Sequence, residues 1–228
     1  MLTAFELIGH FSEDVASRIT LADQQLTVPS CPEWTLGDLV FHLGSVQSFW
    51  AANLLARDRS SPLSPGNTED PSDDALIQWF RSCTASLLSA LREVGDDSPC
   101  WTWWGDPFTS GAVARHQVQE VAVHRWDVGL ALDERTPLDG EVAHDGVGEF
   151  LEVHAQEIPA GDESTVTFRS TDSDGSWKVG AGGSASATVS GTASDLVLFL
   201  NGRIPLASIT VEGSLSAVQV IVDSVNLQ

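Results

Sequence analysis

Glu120 and His124 stand four residues apart in the segment QEVAVHRWDVGLAL, residues 119–132. The apolar positions Val121, Val123, Val128 and Leu130 give this segment the pattern of an amphipathic helix, and the carboxylate and imidazole fall near its buried side. Residues four apart share one helical face. Burying an unpaired charge costs several kcal/mol, about what a whole domain has to spare, so something must compensate. His42 sits on a second apolar stripe, three residues after Leu39 and four before Val46. Two imidazoles and a carboxylate on facing helices are the donor set of a catalytic zinc site with open positions, and iron, nickel or cobalt would also accept it. A buried Glu–His ion pair is the competing account. His116, one turn before Glu120, is a further candidate that could replace Glu120 or His42 as ligand.

These residues need long helices to hold them, and the N-terminal two thirds supply the pattern. Phe5, Leu7, Ile8, Phe11, Val15 and Ile19 recur at helical spacing over residues 3–25. VPSCPEW (28–34) interrupts with two prolines. Thr35 followed by Asp38 is a cap signature for a second helix through about residue 56, with Leu36, Leu39, Leu43, Val46, Phe49 and Trp50 inward. The polar, proline-rich RSSPLSPGNTEDPSDD separates it from a third helix. That helix starts at Ser72, Asp73 and Asp74 and runs to about Val94, burying Leu76, Phe80, Cys83, Leu87 and Leu91. A tryptophan-rich loop, GDDSPCWTWWGDPFTSG, leads to the fourth helix, from about Gly111 to Leu132. Four long helices joined by loops imply an antiparallel bundle.

Beyond Leu132 the texture changes. DERTPLDGEVAHDG is a connector and VGEFLEVHAQEI a shorter helix. TVTFRST, SWKVGA and SASATVSGT alternate as strands, ASDLVLFLNGR is helical, ASITVEG is a strand and SLSAVQVIVDSV a closing helix. The expected organisation is therefore α+β, with a bundle over residues 1–158 and a small α+β domain over residues 159–228.

Composition narrows the chemistry. The chain of 228 residues is 42% apolar, enough for a packed core, and its net charge of −21 repels nucleic-acid phosphate and anionic lipid. No signal-peptide pattern and no apolar run long enough to span a membrane is evident. Cys31, Cys83 and Cys100 are odd in number and widely spaced, which fits a reducing cytoplasm better than a disulfide framework. Cys31 lacks a local histidine to activate it as a nucleophile. GAGGSAS lacks the lysine and helix start of a phosphate loop and reads as a hairpin turn. With no tyrosine in the chain, no mechanism can use a tyrosine acid. The cluster Trp101, Trp103 and Trp104 reads first as packing under a loop and second as a pocket wall.

The segments VPSCPEWTLGDLVFHLGSV, QEVAVHRWD, HDGVGEFL and VSGTASDLVLFLNGR together resemble the mycothiol-dependent maleylpyruvate isomerase family, within the DinB/YfiT-like metal-binding superfamily. The resemblance spans nearly the whole chain. It implies an α+β architecture, with an N-terminal DinB-like four-helix bundle and a small C-terminal sterol-carrier-like domain. It places the metal ligands on His42, Glu120 and His124, with zinc expected. It places the arginine of the family's L-x-G-R motif, used at the active site and toward the cofactor, on Arg203. Gln119 departs from the histidine common in relatives, at a position that is not a ligand. The implied function is a metal-dependent, mycothiol-using cytoplasmic enzyme, acting by S-transfer or thiol-assisted cis–trans isomerisation. In that reading a metal-bound thiolate attacks an electrophilic small molecule. Its partners are that electrophile and the low-molecular-weight thiol, with no nucleic acid or membrane, in a monomer or weak dimer. A metal-dependent hydrolase using bound hydroxide and a non-catalytic small-molecule binder are the alternatives.

Overall fold

The computed structural model describes residues 2–63, 71–154, 165–180 and 186–224. It divides into two compact units, Met1–Thr136 and Pro137–Gln228. In the first unit, α1 (Ala4–Thr20), α2 (Leu36–Ala56), α3 (Asp73–Val94) and α4 (Ser110–Ala131) form the bundle. A two-stranded antiparallel ribbon, β1 (Thr27–Val28) with β2 (Cys31–Thr35), precedes α2. Threonines start three of these four helices. Thr3 and Thr35 form reciprocal capping boxes with Glu6 and Asp38, and Thr109 accepts from the Ala112 amide. Each such cap satisfies amides that a helix start leaves without a partner. Ser72 is the N-cap residue of α3 but makes no side-chain cap bond.

Helix α1 packs against α3 and α4, and α2 packs against the same two, so the ring runs α1–α3–α2–α4. The core gathers Val15, Ile19, Leu36, Leu39, Leu43, Leu76, Phe80 and Val128. A buried polar group, Ser12, Gln47 and Thr84, lies beside it. Gln47 takes the buried place expected of Val46, donating to Ser12 Oγ (3.0 Å) and accepting from Thr84 Oγ1 (2.7 Å). Both ends of that amide are satisfied, which is what makes its burial tolerable. Val46 and Phe49 are turned to half-buried positions.

In the second unit, α5 (Gly140–His154) is followed by a four-stranded sheet of order β4-β3-β5-β6. Its strands are β3 (Thr165–Ser170), β4 (Ser176–Val179), β5 (Ser186–Gly191) and β6 (Thr210–Gly213). β3 pairs parallel with β5, and the two outer pairings are antiparallel. Alternation buries Val166 and Phe168 of β3 and Ala187 and Val189 of β5. α6 (Ala193–Leu200) and α7 (Leu215–Ser224) pack on β3 and β5.

Two sequence expectations change. α5 begins at Gly140, inside the segment expected to be a connector, and it packs on α6 and β4. The units therefore part at Thr136/Pro137 rather than after residue 158. The apolar face of α5 finds its complement in the C-terminal elements, and that packing assigns it. The prolines of VPSCPEW belong to a ribbon rather than to a plain break: Pro29 lies in its turn and Pro32 in β2. The expected hairpin turn in GAGGSAS and the end of VGEFLEVHAQEI fall largely outside the described residues. Among the described residues no helix is long and apolar enough to cross a membrane.

Candidate metal centre

Helices α2 and α4 are neighbours in the ring, and their facing sides bring together the three residues that periodicity had singled out. Glu120 Oε1 lies 2.9 Å from His42 Nε2 and 3.6 Å from His124 Nε2. One donor atom from each of the three falls within 4.8 Å of the other two. Zinc bonds of about 2.0–2.1 Å put tetrahedral donors roughly 3.3 Å apart, so the two distances to Glu120 already bracket what a cation requires. Two imidazoles and one carboxylate also match the donor chemistry of such a site. His124 is 7% exposed, Glu120 21% and His42 31%, so the cluster is walled on the α4 side and open toward His42.

Burial opposes ionisation of Glu120. The hydrogen bond from His42 and the proximity of His124, His42 and His116 outweigh it and hold the carboxyl well below its ordinary range. His116 is not part of the converging set among the described residues. Its ring packs instead on Trp104, with centroids 4.8 Å apart, and sits near Trp50 and Trp103. Trp101 stacks on Trp50 and meets Phe49 edge-on. The tryptophan-rich loop thus packs onto the α2–α4 side one helical turn from Glu120.

Three residues at the site were not singled out from sequence. Trp34, on β2, sits against both imidazoles, 4.8 Å from His42 and 6.1 Å from His124 between ring centroids. Asp127 is fully buried and accepts from His124 Nδ1 at 2.9 Å. Ser30 donates to the other Asp127 oxygen at 2.6 Å. Asp127 was within reach of sequence reasoning, since it follows His124 at helical i,i+3 spacing. Ser30 lies 97 residues away and carried no such signal. Among the cysteines, burial pushes Cys100 up to about 11 and raises Cys83, which makes both poor thiolates at neutral pH.

Arg203 lies in the second unit, just past α6, where local rules explain the LNGR sequence. Gly202 takes the left-handed conformation, φ 69°, that ends a helix most readily without a Cβ. Its amide bonds Phe199 O, and the Arg203 amide bonds Leu198 O at 2.8 Å, which is a Schellman closure. The Arg203 guanidinium donates to Asn201 O at 2.8 Å.

A helical bundle with a His/Glu/His cluster between two of its helices, followed by a small α/β unit, defines a class of two-part candidate metalloprotein. The sequence pattern described as the mycothiol maleylpyruvate isomerase N-terminal domain matches residues 5–129, and that of the MDMPI C-terminal domain matches residues 141–219. The chain belongs to this family. Two solved structures share its fold: the mycothiol-dependent maleylpyruvate isomerase and a histidine-to-alanine mutant of it. Each has 16% identity and a TM-score of 0.70 over 92% of this chain and 91% of the other. No curated protein matches the sequence.

Proposed function

We propose that the protein is a metal-dependent enzyme that uses mycothiol to act on an electrophilic small molecule, by S-transfer or by thiol-assisted cis–trans isomerisation. The observation that carries this reading is the convergence of His42, Glu120 and His124 within 4.8 Å. Family membership and the shared fold of the mycothiol-dependent maleylpyruvate isomerase support it. His42, Glu120 and His124 would hold the cation, with zinc favoured by the mixed imidazole–carboxylate set. When bound, such a cation lowers the pKa of a coordinated thiol and makes it nucleophilic at neutral pH.

The chain's own residues do the rest. Glu120, held ionised by its histidine neighbours, supplies the one negative donor and balances part of the cation's charge. Trp34 packs its ring against both imidazoles and helps hold their orientation. The exposed edge of His42 leaves the way open for a thiol and a substrate. Arg203 binds an anionic group of substrate or thiol, because its planar fork pairs with a carboxylate through two hydrogen bonds. The chain has 11 basic residues against 32 acidic ones, so an anionic ligand needs a dedicated cation. A cytoplasmic setting, where low-molecular-weight thiols stay reduced, completes the proposal.

The test is turnover of a panel of electron-poor alkenes and other electrophiles, with and without mycothiol, before and after chelation. The proposal expects activity that needs both thiol and metal. Metal-dependent turnover that ignores added thiol would establish the hydrolase instead. Ligand binding with no turnover would establish a carrier.

A further inference from the structure

The ribbon β1–β2 has two ends with different duties. Its outgoing strand runs directly into α2, which carries His42, and backbone bonds from Leu36 to Leu26 and from Gly37 to Gln24 secure that junction. Its turn, Pro29–Ser30, reaches α4 through the 2.6 Å bond from Ser30 Oγ to Asp127 Oδ1. Asp127 Oδ2 in turn faces His124 Nδ1 at 2.9 Å. A carboxylate only accepts, so Nδ1 of the imidazole carries a proton, and Nε2 is the nitrogen that faces Glu120. Both Asp127 oxygens are thereby committed, which is what permits the side chain to be 0% exposed beside an imidazole.

We propose that Asp127 and Ser30 are positioning residues of the metal site, fixing the tautomer and ring orientation of His124 and tying the ribbon before α2 to the ligand helix α4. The proposal rests on the reading of His42, Glu120 and His124 as a metal site. Asp127 acts on His124, and Ser30 acts through Asp127. Such partners of a ligating histidine keep its ligand nitrogen free and raise its basicity.

The experiment measures zinc affinity of the full chain, stripped of metal, by competition with a chromophoric chelator. Asp127→Asn presents an amide in place of the carboxylate and is expected to weaken zinc binding about 10- to 100-fold. Ser30→Ala is expected to weaken it less, and to have no further effect in the Asp127→Asn background, because the two act in series. A folded Asp127→Asn protein that binds zinc within about twofold of wild type would overturn the proposal, since a merely structural residue lowers stability and leaves affinity alone. Long-range 1H–15N spectra of the wild-type, metal-free protein need no variant: His124 protonated at Nδ1 supports the proposal, and protonation at Nε2 alone overturns it. Wild-type protein that binds no zinc removes the metal reading itself, and this inference with it. The former results leave the metal reading standing.

Discussion

Replacing Gly44 by alanine sets two opposed effects against each other on the helix that carries His42. A Cβ built at Gly44 would lie 2.2 Å from Trp79 Cζ3 and 2.6 Å from Cη2, whereas real contacts start beyond 3 Å. The Trp79 ring therefore rests directly on the α2 backbone. It also stacks on Phe41, with centroids 5.3 Å apart and planes 20° from parallel, so it fills a notch between Gly44 and Phe41. Alanine occupies that notch. Overpacking of this kind costs about 1–3 kcal/mol, and disturbing the Trp79–Phe41 stack about 0.5–1.5 kcal/mol more. Against this, alanine in a helix interior gains about 1 kcal/mol over glycine. The clash wins, and the expected net loss is about 0.5–3.5 kcal/mol. Urea unfolding followed by tryptophan fluorescence measures it. A second variant isolates the cause: with Trp79→Ala already in place, Gly44→Ala should become neutral or stabilising. Gly44→Ala as stable as wild type, or destabilising to the same degree with Trp79 absent, would refute the reasoning.

The purified protein should carry about one divalent cation per chain, and elemental analysis should find it lost in His42→Ala and in His124→Ala. Full retention in both would move the site elsewhere, with His116 next to be tested. Arg203→Lys should lower kcat/KM while metal content and unfolding stay at wild-type levels, because lysine keeps the charge but not the planar fork. Near-normal turnover in both Arg203→Lys and Arg203→Ala would remove Arg203 from the reaction. Asp14 bridges Arg125 (2.5 Å) and Arg18 (3.1 Å), joining α1 to α4. Burial works against its ionised form, but the hydrogen bond and charge of Arg125 and the charge of Arg18 prevail, so its carboxyl titrates below the ordinary value. With a depressed folded pKa, its contribution is full above the unfolded value of about 3.9 and fades as pH falls through the lower folded value. Asp14→Asn should therefore cost about 1–2 kcal/mol at pH 7, the partial exposure of all three groups holding it to that range, and progressively less below about pH 4. A difference between variant and wild type that stays constant from pH 7 to pH 3 would contradict this.

Much of the candidate site was readable from residue order. Helix starts are local events, and Thr3, Thr35 and Thr109 cap theirs through bonds that reach only three residues along the chain. His42, Glu120 and His124 stood out because a 3.6-residue period places each on a stripe of apolar neighbours, where an ionisable group demands a reason. The strands of the second unit were equally visible, since burial alternates every second residue.

What stayed hidden depends on which surfaces meet after the chain has folded back on itself. The order α1–α3–α2–α4, the burial of Gln47 in place of Val46, and the passage of α5 to the second unit are all choices among apolar faces that look alike in one dimension. Ser30 shows the limit most sharply. Nothing within a helical turn of it reveals a partner, and its bond to Asp127 spans 97 residues. Periodicity reports which side of an element is buried, because that follows from backbone geometry alone. The identity of the group waiting on the other side follows from packing between elements, and that is settled only when distant segments close on one another.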